Sequence, residues 1–455
     1  MNDIKMEDLI NYCKQYGFIF QGSELYGGLA NTWDYGPLGV QLKNNIKNAW
    51  RKAFVQTMPH SYEIDAAILM NPQVWVASGH VGHFSDPKLD CKKCKSRYRA
   101  DNLIEEYGEE GVKPDTMTEE EMSAYIKEHN IKCPKCGALD YTEIRQFNLL
   151  FETHRGVVEG DKSIIYLRPE NAQGEYVNFT NVLRTTREKL PFGIGQIGKA
   201  FRNEITPGMF TFRTIEFEQM EYQWFCKPGT DMEYYEKFKQ KGKEFIISLG
   251  IPEDKLRFKD HDKLAHYANA ACDIEYLFPF GWGEVNGTHD RTDFDLSNHQ
   301  EQSGKSQEYL DPETNEKYVP YIVESTYGAD RLPLAVLCNS YRKETLEDGS
   351  EREVMSFPMH LAPYKACVLP LIKKVHAEKA NEIYSLISAE FNCDYDESGN
   401  IGKRYRRQDV YGTPLCITID DETLNNGTVT IRDRDTMQQD VVKVEEINAY
   451  IRNRF

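Results

Sequence analysis

No stretch of the 455 residues approaches the roughly 18 apolar residues that a membrane span needs, and the N-terminus carries charge where a signal peptide needs an apolar run. The chain therefore reads as cytoplasmic, with no membrane partner. Basic residues are in deficit, 55 lysines and arginines against 72 acidic residues. The resulting net charge of −17 argues against a general nucleic-acid coat, while permitting a local basic patch. Internal repeats and low-complexity tracts are lacking. The 11 cysteines are an odd number spread over a long chain, which fits reduced thiols or metal ligands better than a disulfide framework.

What is present is a globular composition, 40% hydrophobic and 28% charged, in a chain long enough for two or three domains. Residues 1–360 are aromatic-rich, with strand-like runs at Thr211–Phe225 and Tyr318–Ser325. Within them, residues 91–139 form a polar, acidic insertion, where Thr118 to Glu121 reads as the capping box of a short helix. Two prolines in Phe357–Pro363 mark a linker. Residues 361–455 then alternate strand-like runs (CVLPLI, LCITID, TVTIRD) with a helix at His376–Phe391 and a final helical EEINAYIRNRF, a small mixed α/β domain. It holds the basic run GKRYRR, with Lys403, Arg404, Arg406 and Arg407; such a run is either a solvated face or an anion-binding patch.

Two segments carry charge where a folded core would not hold it without a ligand. In Phe201–Phe225, Pro207 and Gly208 supply turn chemistry between strand-like arms, which predicts an antiparallel hairpin. Alternation puts Arg202 and Glu204 on one face of the first arm, and Arg213, Phe217, Gln219 and Glu221 on one face of the second. The alternative is a salt-bridged surface hairpin. In Tyr318–Tyr341, an apolar strand carrying Glu324 runs into Gly328, and a helix follows with Asp330 as its N-cap and Pro333 in its first turn. Leu334, Leu337, Cys338 and Tyr341 make its buried stripe, and Arg331 stands at the helix start. There a cation opposes the helix dipole, which points to an anionic partner.

These segments resemble motifs 2 and 3 of class II aminoacyl-tRNA synthetases, which implies an α+β fold: an antiparallel catalytic sheet flanked by helices, with the C-terminal unit as an anticodon-binding domain. By that resemblance Arg202 holds the α-phosphate of ATP and Arg331 lies beside the nucleotide. Phe217 stacks on adenine; Asn203, Glu204, Phe212, Arg213, Glu284, Val285, Gly328 and Asp330 are further ATP positions. Motif 1, the family's dimer interface, fits a helix at Gly39–Phe54 and a strand over Glu63–Pro72. His80–His83 (HVGH) matches a class I synthetase signature, but no nucleotide-binding βαβ unit accompanies it, so it is set aside.

Runs such as WDYGPLGVQLKNNIKNAW, SGHVGHFSD, YLRPENAQG, FRNEITP, GWGEVNG and RYRRQDVYGTP narrow the resemblance to the undivided glycyl-tRNA synthetases. It implies a homodimer that activates glycine with ATP and Mg²⁺ and passes it to tRNA-Gly, with the GKRYRR residues contacting tRNA. Glycine contacts would be Arg99, Glu170, Phe217, Gln219, Glu221, Arg291, Glu324 and Thr326. Three carboxylates around one small pocket suit an ammonium and repel one another without it. Ser325 and Thr326 depart from the family's usual Pro-Ser, and Ile215 stands where arginine is frequent.

Cys91-x-x-Cys94 and Cys133-x-x-Cys136, 38 residues apart, have the spacing of a structural tetrahedral Zn²⁺ site; a disulfide or free thiols is the alternative. Two rival functions remain: a non-catalytic synthetase paralogue, and a synthetase of the same subclass for proline or threonine.

Overall fold

The computed structural model describes residues 4–109, 111–156, 163–204, 208–261, 264, 268–346 and 348–455. Helix α1 (Met6–Tyr16) buries Leu9, Tyr12 and Cys13 and stops at Gly17, whose φ of +79° only glycine adopts cheaply. Helix α2 (Pro37–Trp50) starts on a proline and buries Leu38, Leu42, Ile46 and Trp50. That spacing of four keeps them on one stripe, and each burial contributes about 1.5–3 kcal/mol. It runs into one π-helical stretch, Arg51–Gln56, and then strand β1 (Ser61–Glu63). The expected Glu63–Pro72 strand is thus shorter and earlier. Pro72 instead opens a helix, Pro72–Ala77, capped by the Asn71 side chain.

The insertion folds on its own small core of Leu89, Leu103, Ile104, Met122, Ile126 and Ile131. Its three-stranded sheet joins Ser85–Asp90 to Arg97–Arg99 and Arg145–Asn148, so it reaches beyond residues 91–139 at both ends. The capping box is present: Glu121 N–H donates to Thr118 Oγ1 at 3.2 Å, and Thr118 N–H to Glu121 Oε2 at 2.7 Å.

Beyond it come α3 (Ala172–Val177), β2 (Phe192–Phe201), β3 (Glu216–Cys226), α4 (Asp231–Ser248), β4 (Leu256–Asp260), β5 (Ala270–Phe278), β6 (Gly281–Thr292), β7 (Tyr321–Gly328), α5 (Arg331–Ser340), β8 (Tyr341–Thr345) and β9 (Glu351–Met355). Seven strands form one sheet in the order β4-β5-β6-β7-β3-β2-β1, antiparallel except for β1 on β2. One face packs Met220, Tyr222, Val323 and Tyr327 against α2, α4 and α5 in the main core. The opposite face presents Phe217, Gln219, Glu221, Glu324 and Thr326.

The hairpin expected from Phe201 lies differently. Its first arm, β2, ends at Phe201, and β3 begins at Glu216. Arg202, Glu204 and Arg213 therefore sit in the connection, which a Gly208–Arg213 bridge closes, rather than on strand faces. Pro207 lies outside the described residues.

The C-terminal unit comprises β10 (Ala366–Pro370), α6 (Lys373–Ser388), β11 (Cys393–Tyr395), α7 (Ile401–Tyr411), β12 (Leu415–Ile419), β13 (Thr428–Asp433), β14 (Gln439–Lys443) and α8 (Ile447–Arg452). Its five-stranded mixed sheet runs β11-β10-β12-β13-β14. Residues 357–363 have no regular element, as two prolines require, yet Phe357, Leu361 and Ala362 are fully inside the main core together with Val410 of α7. No helix among the described residues is long and apolar enough to cross a membrane.

Candidate active site

The free face of the sheet carries a cavity of about 410 Å³ with two chemically distinct ends. At one end three carboxylates converge from α3's approach, β3 and β7. Glu170 Oε1 accepts from Gln173 Nε2 at 3.0 Å, and its Oε2 lies 3.5 Å from His80 Nε2. Burial would raise Glu170, but His80 and then Arg291 outweigh it and hold the carboxyl well below its ordinary range. Glu324 Oε2 accepts from Arg291 at 3.1 Å, Gln223 at 3.1 Å and Tyr176 at 3.2 Å, while Oε1 faces His289 Nδ1 at 2.9 Å. Against the same burial, Arg291 and His289 bring it down to about 2.

Glu221 is the contrast. Burial, and then the charges of Glu324 and Glu170, push its carboxyl well above the ordinary range. One oxygen takes Asn171 N–H at 3.3 Å, and Oε2 has no partner. Gln219 Oε1 and Thr326 Oγ1 are likewise buried without partners, and all three residues line the cavity. Buried acceptors left unbonded each cost roughly 1–3 kcal/mol, so three in one cavity mark the seat of a multi-donor ligand.

At the other end, Arg202 lies between the rings of Phe84 and Phe217, 5.4 Å from each centroid, and donates through Nε to Pro169 O at 3.0 Å. Arg331 stacks 4.3 Å over Phe212, donates to Phe212 O at 3.1 Å and pairs with Glu284 Oε2 at 2.9 Å. Gly328 makes room for it: a Cβ there would lie 3.1–3.3 Å from the Arg331 side chain. Glu204 and Arg213 complete this end. A guanidinium pair on aromatic rings fits a nucleotide, whose phosphates take the charge and whose base takes the stacking.

Some expected site residues are elsewhere or otherwise engaged. Asp330 occupies the N-cap position of α5 without capping it; its carboxylate takes Lys43 Nζ at 2.6 Å and Glu218 N–H at 2.7 Å. Arg291 lines the cavity but makes two bonds to Asp295, at 2.8 and 3.1 Å, besides that to Glu324. Val285 packs in the main core because its neighbour Glu284 takes the cavity face. Asn203 and Arg99 are not in the cavity wall; Arg99 binds Asp86 at 3.2 Å and Asp101 at 2.5 Å. On α7, Lys403 and Arg406 are exposed and Arg407 half-buried. Arg404 is turned inward onto the carbonyls of Gly399 and Pro370, which removes it from the expected basic patch.

The four cysteines of the insertion do meet. Cys91 and Cys136 sulfurs are 3.6 Å apart, as are those of Cys94 and Cys133, and all four lie within 4.8 Å of one another. Four thiolates about 2.3 Å from a tetrahedral Zn²⁺ would stand about 3.8 Å apart, so the donor set fits that ion. Each pair sits in a matching turn, with Lys95 N–H on Cys91 O and Gly137 N–H on Cys133 O, both 2.8 Å.

Sequence reasoning missed the residues that hold the carboxylates: His80, Gln173, Tyr176, Gln223 and His289. No motif gave Tyr176, Gln223 or His289 a role, and Gln173 lies in the run YLRPENAQG, which was read only for the family resemblance. His80 stood in HVGH, set aside as a class I decoy, and in the run SGHVGHFSD, which was read only for the family resemblance and gave it no role.

Three family profiles match the chain. They are the tRNA synthetase class II core domain (G, H, P, S and T) over residues 157–341, the anticodon binding domain over 365–454, and the glycyl-tRNA synthetase insertion domain 1 over 109–149. Among curated relatives, the glycine–tRNA ligase of Clostridium acetobutylicum is 57% identical over the full length of both chains. That of Clostridium perfringens is also 57% identical, covering 98% of this chain and 97% of its own. A Giardia lamblia prolyl-tRNA synthetase in complex with prolyl-adenylate superposes with a TM-score of 0.65 at 14% identity, over 97% of this chain and 74% of its own, a likeness of fold.

Proposed function

The chain belongs to the glycine–tRNA ligase family of class II synthetases, and on that premise we propose how its cavity works. As a member of that family it is an ATP-dependent, AMP-forming ligase that activates glycine to glycyl-adenylate and transfers it to the 3′ end of tRNA-Gly. The observation that carries the site assignment is the trio of unpartnered acceptors, Gln219 Oε1, Glu221 Oε2 and Thr326 Oγ1. An ammonium has three donors, and glycine has no side chain to grip, so its ammonium and carboxylate must supply the binding energy. Glu170 and Glu324 flank that position with negative charge. Every competing amino acid is larger, and the packed wall rejects it by volume.

At the other end, Arg202 neutralises the α-phosphate, Phe217 stacks on the adenine, and Arg331 holds the nucleotide against Phe212. The glycine carboxylate attacks the α-phosphorus in line, pyrophosphate leaves, and the tRNA hydroxyl then takes the glycyl group from AMP. These residues act by positioning and charge neutralisation. Mg²⁺ would arrive with the phosphates, where Glu284 offers a half-exposed carboxylate of the hard oxygen type it prefers. The four cysteines would hold Zn²⁺ in a purely structural role, since no coordination position stays open. Lys403, Arg406 and Arg407 would contact tRNA, and α2 would lie in a homodimer interface. A cytoplasmic location agrees with these substrates.

Pyrophosphate exchange across the twenty amino acids tests this. Glycine alone should support exchange; none at all would sink the enzyme, and exchange with another amino acid would sink the specificity.

A further inference from the structure

His289 and Glu324 are directly paired across the β6–β7 ladder, on the face that lines the cavity. Glu324 is held ionised and can only accept, so His289 Nδ1 carries the proton of their 2.9 Å bond. The two oxygens of Glu324 are unequally served. Oε2 receives three donors, from Arg291, Gln223 and Tyr176, whereas Oε1 has His289. Arg291 is shared with Asp295, and the three donors on Oε2 fix one corner of the carboxylate only. The angle of Oε1 about that corner is left to the imidazole. The ring itself is seated over Gly287, whose missing Cβ would come within 3.0 Å of His289 Cε1, so the glycine two residues back clears the place for it.

We propose that His289 is a positioning residue of the amino-acid site: its Nδ1–H aims Glu324 Oε1 so that the remaining lone pair of that oxygen meets the substrate ammonium. This role rests on the reading of Glu324 as part of the ammonium seat. It makes the amino-acid end depend on a residue that no charge pattern in the sequence exposes, and it predicts an effect confined to glycine, since ATP is held by Arg202 and Arg331 at the far end.

The test is glycine-dependent pyrophosphate exchange by the full chain with His289→Ala, His289→Gln and His289→Asn, measuring KM for glycine and for ATP separately. The asparagine amide can stand where Nδ1 stands; the glutamine amide is one methylene too long. His289→Ala and His289→Gln should raise the glycine KM about tenfold, with the ATP KM within about twofold, and His289→Asn should stay within about threefold of the parent. The Asn-against-Gln contrast holds even if the alanine variant folds poorly. A glycine KM unmoved by Ala and Gln, an ATP KM that moves equally, or an Asn variant no better than Gln would overturn the role and leave the site assignment standing. Absence of glycine-dependent exchange in the parent protein would instead overturn the site assignment, and the role with it.

Discussion

Lys43 Nζ stands 2.6 Å from Asp330 Oδ1, a buried pair linking the middle of α2 to the first residue before Arg331. Glu218 Oε2 lies 3.1 Å from the same ammonium, and Tyr35 covers it at 4.5 Å. Asp330 in turn holds Glu218 N–H on β3. One lysine thus pins three elements at the point where Arg331, the proposed nucleotide-binding arginine, emerges. Lys43→Met should lower stability by about 3–5 kcal/mol, because it strands a buried carboxylate. It should also raise the KM for ATP more than that for glycine; urea unfolding and exchange kinetics check both.

On the proposed assignment, Glu221 should give the amino-acid end a pH dependence. Its raised carboxyl is neutral at the acid side of its titration, and a neutral acid does not hold an ammonium well. Glycine KM should therefore fall as pH rises through that titration, until Glu221 is ionised. Glu221→Gln should raise the glycine KM by at least about tenfold and flatten its pH profile. Exchange kinetics measured as a function of pH decide; an unaltered slope in the variant would refute the assignment.

Glu175 on α3 is fully buried with neither carboxylate oxygen partnered, and burial, then Glu221 and Glu324, raise it strongly. A folded-state value above the unfolded one, about 4.3, means a contribution to stability present below that pH and lost as pH rises through the folded value. Glu175→Met, close in volume, removes that loss. Its Tm should exceed the parent's by several degrees at pH 8, with the gap closing towards pH 4.

Metal analysis should find about one Zn²⁺ per chain, and Cys133→Ser should lose it. Because the insertion has its own core, thermal melting of that variant should show an early transition while exchange with glycine and ATP persists.

The two halves of the basic run on α7 should separate in function. Lys403→Glu with Arg406→Glu should weaken tRNA charging severalfold, less so at higher salt because the parent loses more phosphate contacts to screening, and leave pyrophosphate exchange alone. Arg404→Ala should chiefly lower stability, since its guanidinium serves backbone carbonyls.

How far the site was legible depended on what each residue does. Glu221, Glu324 and Arg331 line the cavity as expected because charge on a sheet face or at a helix start is costly without a ligand, whereas Arg202 lines it from a connection that the sheet-face argument did not foresee. The cysteines were legible because a metal imposes spacing. The alternation argument worked for Phe217, Gln219 and Glu221, which do lie on β3, and failed for Arg202, Glu204 and Arg213, which lie in a connection where period two has no meaning. The holders of the carboxylates were not legible: His289 meets Glu324 only through cross-strand register, and register between strands 35 residues apart is set by packing. Arg404 was misjudged for a related reason, since a helix has an inner face and a charge count cannot tell which residues fall on it.

Phe357, Leu361 and Ala362, in the segment that composition marks as a linker, share one core with Val410 and α2. The joint is therefore not a cut point. Grafting another anticodon unit after residue 360 would leave a greasy socket where Val410 had been, and a swap that succeeds must carry α7's inner face along with the tract that docks on it.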